Sequence, residues 1–307
     1  MQRDLGTLWS LKVNNFFFFV FLLIYGALQS GLPPWSAYPF LALLGLLLLF
    51  PASADPLARI PQERLRLWPM EPRKRILLRL MSLALSPLLW LSFLMPLLLI
   101  PLALQCVITL PQSQAIVPVP LLPGRFGALL ASNLRQMLSV LDTWLAILLS
   151  LVAAAFRFFH PPADPEALPI LGMLVALALS TYAQSLFGLD TDGARTRFRL
   201  LPLKGWQVLL AKDAAYLGLL LVLVLPLHPL PALTFGLVSL AIGHHSSVRL
   251  NLSQHRWRFT AGRLLPVGAL QALAGVMFGF LELRTGILVF LSATVLYLAS
   301  LWWYGRM

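Results

Sequence analysis

The sequence predicts an all-α, polytopic transmembrane helix bundle, because apolar residues dominate it and recur in long uncharged runs. Of its 307 residues, 59% are hydrophobic and 11% are charged, whereas an ordinary soluble domain has about 25% charged residues. The runs continue from Phe16 to Met307 with only short polar breaks between them, and a bilayer-spanning helix needs about 20 apolar residues. The lipid bilayer is therefore the expected environment for most of the chain.

The alternation of apolar runs and polar breaks predicts about ten spans, within a range of about six to twelve. Those beginning at Pro96 and His228 have only about 15 residues each, so half-helices are the alternative there. The predicted spans are 15–30, 37–53, 77–95, 96–110, 138–159, 168–188, 208–228, 229–243, 263–281 and 285–304. We expect two transmembrane halves, 1–137 with a basic cytoplasmic loop and 138–307.

The positions of Lys and Arg predict the orientation of the chain. A net charge of +12 could indicate nucleic-acid binding, but the basic residues lie in blocks between apolar runs, as they do in cytoplasmic loops. Both termini are then cytoplasmic, and the loop 160–166, with Asp164 and Glu166, faces outward. We therefore predict a bacterial inner-membrane (plasma-membrane) protein that does not bind nucleic acid. The cytoplasmic loops on this interpretation are 54–76, 111–137, 189–207 and 244–262.

Two basic segments resemble each other and predict a parallel internal repeat. The sequence Arg-Leu-Arg-Leu-Trp-Pro-Met begins at Arg64, and Arg-Phe-Arg-Leu-Leu-Pro-Leu begins at Arg197, 133 positions later. The same offset relates Arg79 to Lys212. Both copies would lie on the same side of the membrane, which is why the repeat is parallel. The alternative is a chance match of residues that are common at membrane borders.

Two stretches of the C-terminal half carry a family pattern. The first runs from Phe187-Gly188 through Asp190, Asp192 and Gly193 to Arg197–Pro202 and Leu209–Ala214, and the second runs from Ala241 to Arg249. Together they resemble the membrane subunits of ABC transporters, specifically type-2 permeases. The chain departs from that pattern at Ala211, Asp213 and His244, where the family usually has Gly, Asn and Asn. It also lacks the expected proline at Asn251 to Gln254.

The resemblance implies a permease subunit of an exporter, driven by a separate cytoplasmic nucleotide-binding ATPase. It implies an ATPase-coupling segment comprising Arg197, Arg199, Leu200, Leu201, Pro202, Leu203, Lys204, Gly205 and Lys212. The repeat implies a second one at Arg64, Arg66, Leu67, Pro69 and Arg73. Leucines flanked by charges can seat in a groove of a partner protein. The alternative is an interfacial helix that lies on lipid headgroups.

The remaining polar motifs predict no catalytic residue and no metal site. We interpret Asp190, Asp192 and Gly193 as a turn that caps a helix and pairs with nearby arginines, and Gly243, His244, Ser247 and Arg249 as a cytoplasmic loop. Asp142, the one obvious ionisable residue inside a span, is expected to be hydrated near the cytoplasmic border. No Gly-x-x-x-x-Gly-Lys-Ser/Thr sequence is present. ATP and Mg²⁺ are therefore expected in the partner subunit, and this chain needs no cofactor.

Two other functions compete with the permease interpretation. A membrane-embedded enzyme acting on lipid-linked substrates would use His244, His245 and Arg249 at the cytoplasmic face, with Asp190 or Asp192 as acid or metal ligand. A structural subunit of a larger complex would need only the spans. If the repeat is real, a permease chain offers two docking sites for ATPases, and otherwise a second permease chain is expected to pair with it.

Overall fold

Helices make up all the regular secondary structure in the part of the chain that the computed structural model describes. That part comprises residues 74, 119, 124–159, 166–190, 204–249 and 265–306. The chain divides into two compact units, Met1–Ala115 and Ile116–Met307. Within the described ranges the second unit contains seven α-helices and no strand, so the all-α prediction is confirmed for this part. The first four predicted spans, the repeat and the second coupling segment, Arg64 to Arg73, lie outside the described residues.

The helices follow the apolar runs of the sequence. Six of them coincide with the last six predicted spans, and the first, α1, precedes these. Pro229 starts α5, where a missing backbone N–H costs nothing. Gly286 joins α6 to α7 with a positive φ of 76°, which glycine adopts readily. The bounds are α1 Gly124–Leu138, α2 Leu141–Phe159, α3 Ala167–Ala183, α4 Gly205–Val224, α5 Pro229–Arg249, α6 Leu265–Thr285 and α7 Ile287–Tyr304.

Three of these helices are long and apolar enough to cross a membrane, namely α4, the part of α6 from Val267 to Thr285, and α7. A fourth crossing is formed if α1 and α2 count as one bent span, since Phe126–Leu138 and Leu141–Ala155 meet at 84°. Helix α3 is apolar but has only 17 residues. The described residues therefore account for three or four of the predicted spans.

The predicted span at 229–243 ends too early, and the predicted loop at 244–249 is wrong. Helix α5 has 21 residues and continues through Arg249. Gly243, His244 and Ser247 are buried, because α5 is the central helix and packs against α3, α4, α6 and α7. Arg249 is exposed at the end of the helix. The helix continues because these polar side chains lie against neighbouring helices instead of in water.

Successive helices from α3 to α7 run in opposite directions. The C-termini of α3, α5 and α7 and the N-termini of α4 and α6 therefore lie at the same end of the bundle. A Cβ atom built on Gly205 would lie 2.8 Å from the carbonyl oxygen of Gly305, and one on Gly243 would lie 2.5 Å from that of Ala183. These close backbone approaches bring the start of α4 to the end of α7, and the end of α5 to the end of α3.

We predict opposite effects of the same substitution at two helical glycines. Gly218→Ala in α4 should stabilise the protein by up to about 1 kcal/mol, since alanine favours a helix and nothing lies within 4 Å of the added Cβ. Gly243→Ala should destabilise it by about 1–3 kcal/mol, because the added Cβ would meet the Ala183 backbone. Thermal unfolding in detergent measures both. A Tm of Gly243→Ala equal to or above that of Gly218→Ala would contradict the packing described here.

Candidate functional site

Two adjacent charged residues, Lys212 and Asp213, lie inside the bundle on α4. Their relative exposures are 1% and 0%. Adjacent residues of a helix point about 100° apart, so the two side chains reach different neighbours. Lys212 reaches α1 and the turn after α3, whereas Asp213 reaches α5 and α7. Charged contacts therefore hold α4 on two sides.

The Lys212 ammonium has a full set of partners. Its Nζ lies 3.0 Å from Oδ2 of Asp190 and donates to Oδ1 of Asn133 at 3.3 Å and to Oε1 of Gln136 at 3.5 Å. Gln136 Nε2 in turn donates to Oδ1 of Asp190 at 2.9 Å. The Phe187 ring lies below the ammonium, with its centroid 4.8 Å from Nζ. The result is a buried ion pair supported by three side-chain hydrogen bonds, although Asp190 Oδ2, which faces the ammonium, accepts no hydrogen bond itself.

This geometry revises two predictions from the sequence. Lys212, predicted to couple to an ATPase, is buried against Asp190 and has no surface to offer a partner. Asp190 lies in the turn after α3, as predicted, but among the described residues its carboxylate pairs with Lys212 and not with an arginine. Asp192, Gly193 and the coupling residues Arg197 to Leu203 lie outside the described residues.

The start of α4 is the described part of the predicted coupling segment. Lys204 and Gly205 are exposed, and the Lys204 backbone N–H donates to the Gln207 side chain at 2.9 Å. Trp206 is 42% exposed. The surface formed by Lys204, Gly205 and Trp206 is therefore accessible to a partner protein, whereas Lys212 is buried.

Asp213 forms the second charged cluster, with residues of α5 and α7. The His244 Nε2 atom lies 3.1 and 3.2 Å from its two carboxylate oxygens, and the Tyr297 hydroxyl donates to Oδ2 at 3.0 Å. The His244 Nδ1 atom lies 2.9 Å from the Ser300 hydroxyl, which donates to the Ala241 carbonyl oxygen at 2.9 Å. Three helices therefore meet at one carboxylate and one imidazole.

The order Asp213, His244, Ser300 resembles the triad of a serine hydrolase, but the hydrogen bonds differ from those of a triad. In a triad the serine contacts Nε2 and the aspartate contacts Nδ1 of the imidazole, whereas here Ser300 lies at Nδ1 and Asp213 lies at Nε2. Among the described residues no group of three or more His, Cys, Asp and Glu side chains is placed to hold a metal ion. This arrangement gives less support to catalysis than to a structural role.

A pair of glutamines adds a third buried contact at the same end of the bundle. Gln184, just after α3, donates to the Gln271 side chain of α6 at 2.6 Å. Gln271 donates to the carbonyl oxygens of Ser180 and Ser239 at 3.0 and 2.8 Å. The three clusters together link α1 and α3–α7. We call this region the polar end, and it comprises Asn133, Gln136, Gln184, Asp190, Lys212, Asp213, His244, Gln271, Tyr297 and Ser300.

Asp190, Lys212 and His244 were predicted as candidate residues, but their contacts with one another and with the other members of the polar end were not predicted, because these residues are far apart in the chain. Lys212 lies 76 to 79 positions from its α1 partners, and Asp213 lies 31 positions from His244. Asp142, expected to be hydrated, is 5% exposed in the first turn of α2. One feature of the sequence could have indicated the polar end. Lys212 and Asp213 are adjacent within an apolar run, and charged side chains inside such a run need buried partners.

Away from the polar end, the bundle has an apolar groove between α4, α5 and α7. Its volume is about 260 Å³, and its lining consists of Leu217, Gly218, Leu221, Leu233, Leu237 and Phe290. The lining has no charged or hydrogen-bonding side chain that could orient a polar ligand. The polar end is therefore the candidate site.

We predict that the Asp190–Lys212 pair behaves as a unit in a double-mutant cycle. Asp190→Asn or Lys212→Met alone should cost about 3–5 kcal/mol of folding free energy, because each leaves one charge buried without its partner. The double variant should recover most of that loss. Lys204→Met, at an exposed position, is the control and should change stability by about 0.5 kcal/mol or less. Losses that simply add in the double variant would show that the charges are not coupled.

Comparison of the chain with protein-family models, with curated proteins and with solved structures finds no match. The permease resemblance therefore rests on the sequence motifs alone.

Proposed function

We propose that this chain is the membrane-spanning permease subunit of an ATP-driven ABC transporter, an exporter that couples to a separate cytoplasmic ATPase. The observation that carries the proposal is the Asp190–Lys212 ion pair. Residues 191–203, which lie outside the described ranges, include the basic and apolar residues of the predicted coupling segment. Asp190 precedes that segment directly, and Lys212 follows it on α4. The ion pair therefore ties together the two ends of the proposed docking element.

A force applied to that segment would pass into the bundle through α4. Helix α4 begins at Gly205, directly after the segment, and is bonded through Lys212 to α1 and through Asp213 to α5 and α7. Breaking a buried ion pair is costly, so these helices should move together. Closure of an ATPase dimer could then tilt them as a rigid body and change access to the transport path.

The distribution of charge supports a cytoplasmic location for the polar end. Lys204, Arg249 and Arg306 are exposed at this end, and the sequence places three more arginines, Arg256, Arg258 and Arg263, directly after α5. Such an excess of Lys and Arg is typical of the cytoplasmic side of a membrane protein. With three helices long and apolar enough to cross a bilayer, these charges support an inner-membrane protein.

A membrane-embedded enzyme is the second candidate, and the alignment of Asp213, His244 and Ser300 is the observation in its favour. Two facts make it the weaker proposal. Ser300 and Asp213 contact the opposite ring nitrogens from those that they would contact in a triad, and Asp190, the proposed acid, is already paired with Lys212. The permease needs no reactive group in this chain, because ATP and Mg²⁺ belong to the partner.

The first functional prediction is that this chain has no ATPase activity alone and copurifies with an ATPase. Leu201→Asp should weaken that association about 30-fold or more, since losing an apolar anchor at an interface hot spot costs about 2 kcal/mol or more. Arg199→Ala should weaken it less and in a salt-dependent way, as expected of a rim charge. The measurement is a pull-down from native membranes in mild detergent, at matched expression.

The matched control is Ala163→Asp, which adds the same charge to the loop predicted on the opposite side. It should retain the partner at the wild-type level. Recovery of identical partners by wild type and Leu201→Asp, with no ATPase among them, would remove the permease proposal and leave the enzyme as the leading candidate.

A further inference from the structure

The start of α4 and the end of α7 form a basic and aromatic surface at the polar end. Gly205 and Gly305 approach each other closely, Lys204 precedes the first glycine, and Arg306 follows the second. Consecutive Cα atoms are about 3.8 Å apart, so both long cationic side chains extend from one small area. We call this surface the basic patch, and it comprises Lys204, Trp206, Trp302 and Arg306.

The Arg306 guanidinium lies over an aromatic ring. Its Cζ atom is 3.5 Å from the centroid of the Trp302 ring, one helical turn earlier on α7. Such a contact uses the flat face of the guanidinium, whereas its N–H groups lie around the edge, in a fork that matches two phosphate oxygens. No carboxylate pairs with Arg306 in the described part of the chain. The side chain is therefore oriented by the ring and accessible to an anion.

Among the described residues, no exposed carboxylate would repel an anionic ligand at this end of the bundle. The acidic side chains of Asp142, Asp190 and Asp213 are buried. Those of Glu166 and Glu282 lie at the opposite end, before α3 and in the last turn of α6. The exposed lysine and arginine side chains therefore give the polar end a positive surface, which attracts anions.

Helices α4 and α7 are long enough for their ends to reach the headgroup region when they cross a bilayer. They have 20 and 18 residues, which is about 30 and 27 Å, and the hydrocarbon core is about 30 Å thick. Tryptophans are enriched where helices leave that core, and both tryptophans of the basic patch are exposed. A basic surface at the end of a spanning helix meets lipid phosphate groups.

An exposed apolar surface of α7 leads from the basic patch to the apolar groove. Leu298 and Leu291 precede Gly305 by 7 and 14 positions, nearly two and four helical turns, so they lie on the side of α7 on which Gly305 meets α4. Both leucines are exposed. Phe290, the neighbour of Leu291, lines the groove between α4, α5 and α7.

The distance from the basic patch to the groove matches the thickness of one lipid leaflet. Leu217, the first groove residue on α4, follows Gly205 by 12 positions, which is about 18 Å along the helix. A bilayer with its headgroups is about 40–45 Å thick, so one leaflet is about 20–22 Å thick. The groove has a volume of about 260 Å³ and an apolar lining, which suits the end of an acyl chain.

We propose that the seam between α4 and α7 binds an anionic phospholipid, with its phosphate at Lys204 and Arg306 and one acyl chain along α7 to the apolar groove. A soluble protein partner or a free phosphate ester would use the basic patch but would leave the groove empty. A zwitterionic lipid would fill the groove but would gain less from two cations, because its own cation balances its phosphate. The proposal requires that α4 and α7 cross a bilayer, and it does not depend on the permease function.

Native mass spectrometry of delipidated protein measures the headgroup contact, in titrations with phosphatidylglycerol and with phosphatidylcholine of the same acyl chains. Phosphatidylglycerol should bind more tightly. Arg306→Gln and Lys204→Gln should each weaken its binding about fivefold, the effect of one cation near an anionic lipid. Arg284→Gln, which removes an exposed cation at the opposite end, is the matched control and should leave the affinity unchanged. Equal affinities for the two lipids, or an equal loss in Arg284→Gln, overturn the proposal.

A groove-filling variant tests the acyl chain separately. Gly218 lines the groove, and nothing lies within 4 Å of a Cβ atom added there, so Gly218→Leu should fill the groove and keep a wild-type Tm. Wild type should bind long-chain phosphatidylglycerol more tightly than a short-chain analogue that does not reach the groove. Gly218→Leu should lose this preference, and Gly218→Ala, the smaller control, should retain it. A preference that persists in Gly218→Leu contradicts the placement of the acyl chain.

Two other occupants of the basic patch would give different results. Glycerol phosphate, which has the headgroup chemistry without acyl chains, should not displace the bound lipid, and displacement would assign the patch to a soluble phosphate ester. Arg306→Gln should leave copurification of an ATPase unchanged. Loss of the ATPase with unchanged lipid affinity would assign the patch to a protein partner and overturn the proposal. Lipid affinity is measured whether or not an ATPase copurifies, so the two proposals fail separately.

Discussion

The burial of two neighbouring opposite charges on one apolar helix is the constraint on which the polar end depends. Removing a charged group from water costs several kcal/mol even after relaxation, so Lys212 and Asp213 are tolerable only with partners on both sides of α4. Asp190, Asn133 and Gln136 provide them on one side, and His244 and Tyr297 provide them on the other. A rotation or shift of α4 alone would break both sets. The rotation and depth of α4 relative to α1, α5 and α7 follow from these contacts.

The position of Lys212 and Asp213 along α4 accounts for other features of the bundle. Lys212 lies seven residues after the start of α4, which is about 10 Å along the helix, and a bilayer core is about 30 Å thick. The charges therefore lie about a third of the way along a helix that is long enough to cross a bilayer. Helix α5 extends beyond His244, and this helix places the imidazole beside Asp213. Gly243 lets α5 approach α3 next to His244. Ionisable residues inside apolar helices of this kind usually mark a functional site.

The sequence predicted the positions of the helices better than the contacts between them. Apolar runs placed the ends of α2 to α7 to within five residues, except for the end of α5, which lies six residues later than predicted. Burial in lipid or in protein imposes the same local composition. The loop at 244–249 was predicted wrongly because two histidines and two serines have a low local hydropathy, and that measure contains no information about Asp213 on α4. Lys212 was assigned to a docking surface for the same reason, since its partners are more than 20 positions away in the chain. The motif residues Arg197 to Leu203 stay a prediction, because they lie outside the described part of the chain.

An ATPase can reach the polar end only if that end faces the cytoplasm. The most direct measurement is the reaction of a membrane-impermeant maleimide with single cysteines at Glu166 and Lys204, two exposed positions at opposite ends of the described bundle, in a Cys106→Ala background. In intact cells with a permeabilised outer membrane, Glu166→Cys should react, and Lys204→Cys should react only after the inner membrane is opened. Labelling of Lys204→Cys in intact cells would place the polar end outside and contradict both the orientation and the proposed coupling.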